Sequence, residues 1–145
     1  LVEYVQAAQR SLKLKSSDTA LVGFSQGAIM ALEAVQAEPR LAGRVLAFSG
    51  RYAQLPTAAP PYTTIHLLHG ADDPVMPVAQ IQAAQARLAE LKGDSTIDIA
   101  SRVGHELHPA LVQRAIHRLQ TCVPLHSWAA AMQMDPVPPE GTTMH

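Results

Sequence analysis

The chain has 145 residues, 48% of them hydrophobic and 16% charged, with a formal net charge of -1. That length suits one domain able to bury about 68–70% of its unfolded surface. A near-neutral balance with no basic stripe argues against nucleic acid as a partner, and no apolar run approaches the ~20 residues needed to cross a bilayer.

Leu1, Val5, Ala8 and Leu12 recur at helical spacing opposite Glu3, Gln6, Gln9, Arg10 and Lys13, which predicts an amphipathic helix over residues 1 to about 15. After Ser16-Ser17-Asp18 a short apolar strand covers 19–24. A helix over 26–37 follows at once, apolar on nearly all sides near its start, and stops before Pro39. The next strand is 44–49, ended by Gly50. A proline-rich loop, Leu55 to Pro61, leads into a strand over 64–69 closed by Gly70. Pro77 opens a helix with Val78, Ile81, Ala84, Leu88 and Leu91 on one side, ended by Lys92-Gly93. Residues 95–100 alternate and read as the fourth strand. The last helix, about 107–120, has Leu107, Leu111, Ala115 and Leu119 on its inner face. The single cysteine, Cys122, lies at its end without a C-x-x-C partner, so it reads as a packing residue. One cysteine allows no internal disulfide and suits a reducing, cytoplasmic setting. From Pro124 periodicity is lost, so residues 1–123 read as the folded domain and 124–145 as a flexible tail.

Alternation of helices with apolar strands implies an α/β fold: a parallel sheet of about four strands with helices on both faces. In such sheets reaction centres gather where strands end. The residues just beyond the strands therefore carry the functional reading.

The first such junction is Gly23-Phe24-Ser25-Gln26-Gly27, a G-x-S-x-G sequence between strand and helix. Chance would produce it roughly 0.02 times in a chain of this composition. A strand that enters a helix with no loop forces the middle residue into a sparsely populated conformation and lifts its side chain above the sheet. Gly23 and Gly27 are expected there because a Cβ on either would clash across the turn. The N–H of Gln26, at the positive end of the helix, is a ready donor to an oxyanion. An ordinary turn in which Ser25 only caps the helix is the alternative.

Beyond the third strand stand Asp72 and Asp73, and beyond the fourth stands Gly104-His105. A serine hydroxyl needs a base of near-neutral pKa, and that base needs a carboxylate on its other ring nitrogen. His105 fits the base, with Gly104 letting its loop bend. Spacing alone does not separate Asp72 from Asp73. His108 reads as a helix-capping or exposed residue and His117 as a solvated one. His66 and His69 read as structural, with His69 ordering the acid loop. Asp94 and Asp98 belong to a turn and a strand's polar face. The run His105-Glu106-Leu107-His108 lacks the H-E-x-x-H spacing of a zinc helix, so no metal is expected.

Leu21 to Ala28, His69 to Pro77 and Gly104-His105-Glu106 together resemble the α/β-hydrolase carboxylesterases of the phospholipase/carboxylesterase family, which includes acyl-protein thioesterases, and most of all its bacterial YpfH-like serine esterases. The likeness spans residues 1 to about 125. It implies Ser25 as nucleophile, Asp73 as the acid, since it stands directly before the Pro-Val pair, and His105 as base. Gln26 would supply one oxyanion donor through its backbone. The resemblance also implies no metal or organic cofactor, and short acyl esters or thioesters as small-molecule substrates. Family members carry further strands ahead of the helix that opens this chain, and an His-Gly loop there gives the second oxyanion donor. No such loop is present, so the chain corresponds to the C-terminal part of the fold. Its strand 19–24 is then expected to have an open edge capable of self-association. The second reading is a hydrolase piece with little or no turnover. A dienelactone-hydrolase type enzyme is disfavoured by Ser25, because that group has cysteine at the elbow.

Overall fold

A computed structural model describes residues 1–125. All but the first two residues of the expected tail, 124–145, lie outside the described residues.

Four strands, β1 (Ala20–Phe24), β2 (Arg44–Phe48), β3 (Thr64–Gly70) and β4 (Ser95–Ala100), form one sheet in the order β1-β2-β3-β4. Every pairing is parallel, with Val22 beside Leu46, Leu46 beside His66 and His66 beside Thr96. Parallel strands need crossover connections, and α2 (Gln26–Ala37) and α3 (Val78–Glu90) supply two of them. The β2–β3 crossover is the irregular loop 49–63, whose prolines exclude a helix. All strands therefore point one way. Their C-terminal ends, at Phe24, Phe48, Gly70 and Ala100, share a single rim.

Strand alternation sorts the core into two layers. On one face Leu21, Val45, Ala47, Ile65, Leu67 and Ile97 meet Ala28, Ala31, Leu32 and Val35 of α2 and Ile81, Ala84 and Leu88 of α3. Val5 of α1 (Val2–Leu12) joins this layer. On the other face Leu46, Phe48 and Leu68 meet Val103 and the Leu111 and Ala115 side chains of α4 (Pro109–Thr121). Helices thus lie on both faces. β3 is buried throughout, including Thr64, His66 and His69.

Several expected helix faces are narrower than their periodicity implies. α1 stops at Leu12 because Lys13 turns left-handed at φ 57°, and of its apolar residues only Val5 is buried. α2 packs mainly against β1 and β2 and leaves Met30 56% exposed, so its apolar surface is not buried all round. α3 is capped by Pro77 rather than starting on it. α4 begins at Pro109 with His108 as its N-cap; Leu107 precedes it, and Leu119 points away from the sheet. α4 is held over β3 and β4 by Asp98, whose carboxylate accepts from Arg118 Nε at 2.9 Å and Arg114 Nε at 3.1 Å. Burial pushes this carboxyl up, but the two guanidiniums outweigh it and hold the group below the usual carboxylate range. α4 packs chiefly on β3 and β4. Val22 is 67% and Phe24 39% exposed, and among the described residues β1 pairs on one side only, as expected for an open edge. Among the described residues no helix is long and apolar enough to cross a membrane.

His66 sits in the middle of the buried sheet. Arg44 Nη1 donates to its Nε2 at 2.9 Å, and its Nδ1–H donates to Thr96 Oγ1 at 2.7 Å. Burial, then the Arg44 guanidinium, lowers its pKa to about 4. The unfolded chain takes up this proton near pH 6.5 and the folded chain only near pH 4, so stability is lost as pH falls between those values. Wild type is expected to lose about 2 kcal/mol more than His66→Gln between pH 7 and pH 5 in urea titrations. At pH 7, Leu111→Ala should cost about 2–5 kcal/mol, whereas Leu119→Ala should cost less than about 1 kcal/mol in the same assay.

Candidate active site

β1 ends at Phe24 and α2 starts at Gln26, so Ser25 alone makes the connection. Its backbone takes φ 59°, ψ −118°, a conformation that L residues rarely adopt. Ser25 N–H donates to Phe48 O at 2.9 Å, which ties the turn to the end of β2. The Ser25 side chain makes no capping bond to α2, so the plain helix-cap reading fails. A Cβ on Gly23 would run into the backbone of Gly27 and Ala28, as the steric argument requires. That argument does not hold for Gly27: it is exposed, and a Cβ there would meet nothing within 4 Å. Crowding at the elbow is therefore one-sided. The first backbone bond into α2 is Ile29 N–H to Ser25 O at 3.1 Å, so the Gln26, Gly27 and Ala28 N–H groups have no acceptor one turn earlier in the helix.

The loop after β3 carries the two adjacent carboxylates, and the fold separates them. Asp72 is exposed, while the Asp73 side chain is fully buried. Asp73 Oδ1 accepts from Val75 N–H and Met76 N–H, both at 2.8 Å, and Oδ2 accepts from His105 Nδ1–H at 2.8 Å. Burial pushes the carboxyl up, but the Met76 N–H, the His105 ring and the Val75 N–H together outweigh it, so its pKa lies below the ordinary value.

His105 follows β4 on a loop that leans against the acid loop. Ala71 N–H donates to Ala100 O and Asp72 N–H to Val103 O, each at 2.9 Å. A Cβ on Gly70 would strike the carbonyls of Val103 and Gly104, so glycine at the end of β3 is what lets the two loops touch. In the sequence Gly70 reads only as the end of a strand. Gly104 reads as the bend, yet a Cβ there would meet nothing within 4 Å and its φ is not in the left-handed region. The tight approach belongs to Gly70 instead.

The three side chains meet at the rim. His105 Nε2 lies 2.9 Å from Ser25 Oγ. Because a carboxylate can only accept, Nδ1 of His105 carries hydrogen, and Nε2 presents its lone pair to the serine hydroxyl. The Phe24 ring packs on the imidazole with centroids 5.1 Å apart and planes at 38°. The sequence offers one signal for Phe24, its place directly before the elbow serine.

The rival histidines are elsewhere. His108 Nδ1 accepts from Ala110 N–H at 3.0 Å as the α4 cap, and His117 is exposed. Asp94 accepts from Thr64 Oγ1 and Asp98 holds α4. Among the described residues no three His, Cys, Asp or Glu side chains gather as a metal would require. A depression of about 690 Å³ between β4 and α4, lined by Asp98, Arg102, His108 and Arg114, includes none of Ser25, Asp73 and His105. The arrangement at the rim offers a hydroxyl, a base aimed at it, a buried anion behind the base and a helix N-terminus alongside. Those are the components of nucleophilic acyl transfer.

Known proteins agree with this architecture. Esterase YpfH of Escherichia coli (strain K12) is 46% identical over 131 residues, which are 90% of this chain and 56% of that protein. The chain thus spans little more than half the length of that relative. Among solved structures, esterase PE8 superposes with a TM-score of 0.75 at 29% identity, over 84% of this chain and 58% of its own. The Bacillus cereus carboxylesterase superposes with a TM-score of 0.73 over 82% of this chain and 57% of its own, and at 17% identity it attests the fold alone. The sequence pattern of the phospholipase/carboxylesterase family matches residues 1–123, and the chain belongs to that family.

Proposed function

We propose that residues 1–123 form the hydrolase domain of a serine carboxylesterase that cleaves short acyl esters, and thioesters by the same route, without metal or organic cofactor. The observation that supports it is the continuous chain Ser25 Oγ to His105 Nε2 at 2.9 Å and His105 Nδ1 to Asp73 Oδ2 at 2.8 Å. Family membership and the esterase relative support the same class of reaction.

Ser25 Oγ attacks the acyl carbonyl while His105 takes the hydroxyl proton. Asp73 stabilises the imidazolium and holds its tautomer. The Gln26 N–H faces the oxyanion of the tetrahedral intermediate. Collapse expels the alcohol or thiol, which leaves with the proton from His105, and an acyl-Ser25 ester remains. Water, activated by His105 in the same way, then releases the carboxylic acid and restores the serine.

The second reading, a domain with weak or no turnover, draws on one observation: among the described residues β1 pairs on one side only, with Val22 and Phe24 exposed. Loss of one oxyanion donor from an acyl-transfer site costs about 2.7–4 kcal/mol, or roughly 10²–10³ in rate. The same bare edge makes self-association of the chain an expected side effect.

A fluorophosphonate probe should label Ser25 at neutral pH, and Ser25→Ala should abolish both labelling and nitrophenyl acetate hydrolysis. Unchanged hydrolysis in that variant would end the reading, and absence of turnover with intact labelling would favour the weak-piece alternative. Along a nitrophenyl ester series, kcat/KM should fall beyond short acyl chains. Asp73→Asn should lower kcat roughly 10²–10⁴-fold with little change in KM, because the amide permits the wrong ring tautomer. Asp72→Asn should stay within about twofold of wild type, as its exposed side chain contacts none of these groups. Steady-state kinetics on the purified variants separates the two carboxylates.

A further inference from the structure

His69 is a fully buried imidazole that the proposed reaction does not use, yet it stands directly behind the acid loop. Its Nε2 lies 2.6 Å from the carbonyl oxygen of Met76 and 3.6 Å from Asp73 Oδ2. A carbonyl can only accept, so Nε2 carries the ring hydrogen and donates it to Met76. The carboxylate, at 3.6 Å, is beyond hydrogen-bonding range. Nδ1 is buried without a hydrogen-bond partner among the described residues. A hydrogen placed there would be unpaired, which reinforces the Nε2–H tautomer.

Met76 is therefore gripped at both ends. Its N–H donates to Asp73 Oδ1 at 2.8 Å, and its carbonyl accepts from His69. The next residue is Pro77, which has no N–H, so the chain beyond Met76 offers no backbone donor at once to hold the loop. His69 is rooted in β3, an inner, wholly buried strand, and joins the far side of the acid loop to it. The same bond occupies the His69 hydrogen, which would otherwise compete with His105 for Asp73 Oδ2.

We propose that His69 is a positioning residue for Asp73: by clamping the Met76 carbonyl it holds the turn 73–76 so that Oδ1 stays on the backbone and Oδ2 stays on His105. This rests on the triad reading above, and it adds a side chain that touches neither substrate nor serine. Its consequence is selective. Losing the clamp lets the carboxylate drift from the base, which weakens the transition state more than substrate binding.

The test compares His69→Phe, which keeps ring bulk without a donor, and His69→Gln, whose side-chain amide places N–H near the position of Nε2. His69→Phe is expected to lower kcat about 10–100-fold with KM within about twofold, and His69→Gln to recover most of the loss. The downfield proton signal of the His105 Nδ1–H, read by NMR without substrate, should persist in wild type and His69→Gln and vanish in His69→Phe. Nitrogen-15 shifts of wild-type His69 should report hydrogen on Nε2. A folded His69→Phe protein with wild-type kcat and the signal retained would overturn the proposal, as would a His69→Gln protein no better than His69→Phe. If His69→Phe does not fold, hydrogen on Nδ1 in the wild-type ring would overturn it. Wild-type turnover in Ser25→Ala would instead sink the triad reading, and the NMR measurements would still decide whether the clamp exists.

Discussion

A carboxylate with no exposed surface has to find hydrogen-bond donors from its own chain, because an unpaired buried anion costs several kcal/mol. Asp73 meets that demand with two backbone N–H groups on one oxygen and an imidazole on the other. Much of the rim follows from it. The backbone donors force residues 73–76 into a tight turn, the turn sets the direction of Oδ2, and Oδ2 fixes which nitrogen of His105 carries hydrogen. The lone pair left on the opposite nitrogen then faces Ser25. Electrostatics and tautomer are thus settled by a single burial event rather than by three independent placements.

Burial of that kind needs a rigid frame, and the frame is the parallel sheet. β3 is covered on both faces and paired on both sides, so Gly70 and the loop it launches start from a fixed point. The elbow at Ser25 is held from the other direction by its bond to Phe48 O and by the packing of α2 on β1 and β2. A residue at φ 59° persists only when its surroundings over-determine it. Here the absence of a Cβ at Gly23 and the pairing of β1 with β2 provide that constraint.

Coverage of the sheet is uneven, and the unevenness has a simple origin. The Asp98 carboxylate, bonded to Arg114 and Arg118, draws α4 toward β4. The opposite end of the same face, at Ala20, Val22 and Phe24, receives no helix from the described residues. Phe24 lies at the boundary between the two regimes, packed on His105 on one side and partly open on the other.

The amino-acid order by itself determined the alternation of strands and helices, the parallel sheet and the serine at its sharp turn, because apolar periodicity and glycine placement are local signals. It also placed an acid and a histidine beyond successive strands. Spacing and residue type could not separate Asp72 from Asp73 without the family resemblance, since neighbours on a turn differ only in which one the fold buries. The amino-acid order assigns steric need to Gly27 and a tight bend to Gly104, where open space lies, and gives none to Gly70, where Val103 and Gly104 press against the chain. Close approach between Gly70 and Val103, far apart in the chain, has no trace in either loop's composition, so only the tertiary structure decides it. The same holds for Leu107 and Leu119: helical spacing names candidate faces, but which of them meets the sheet depends on where Asp98 anchors the helix.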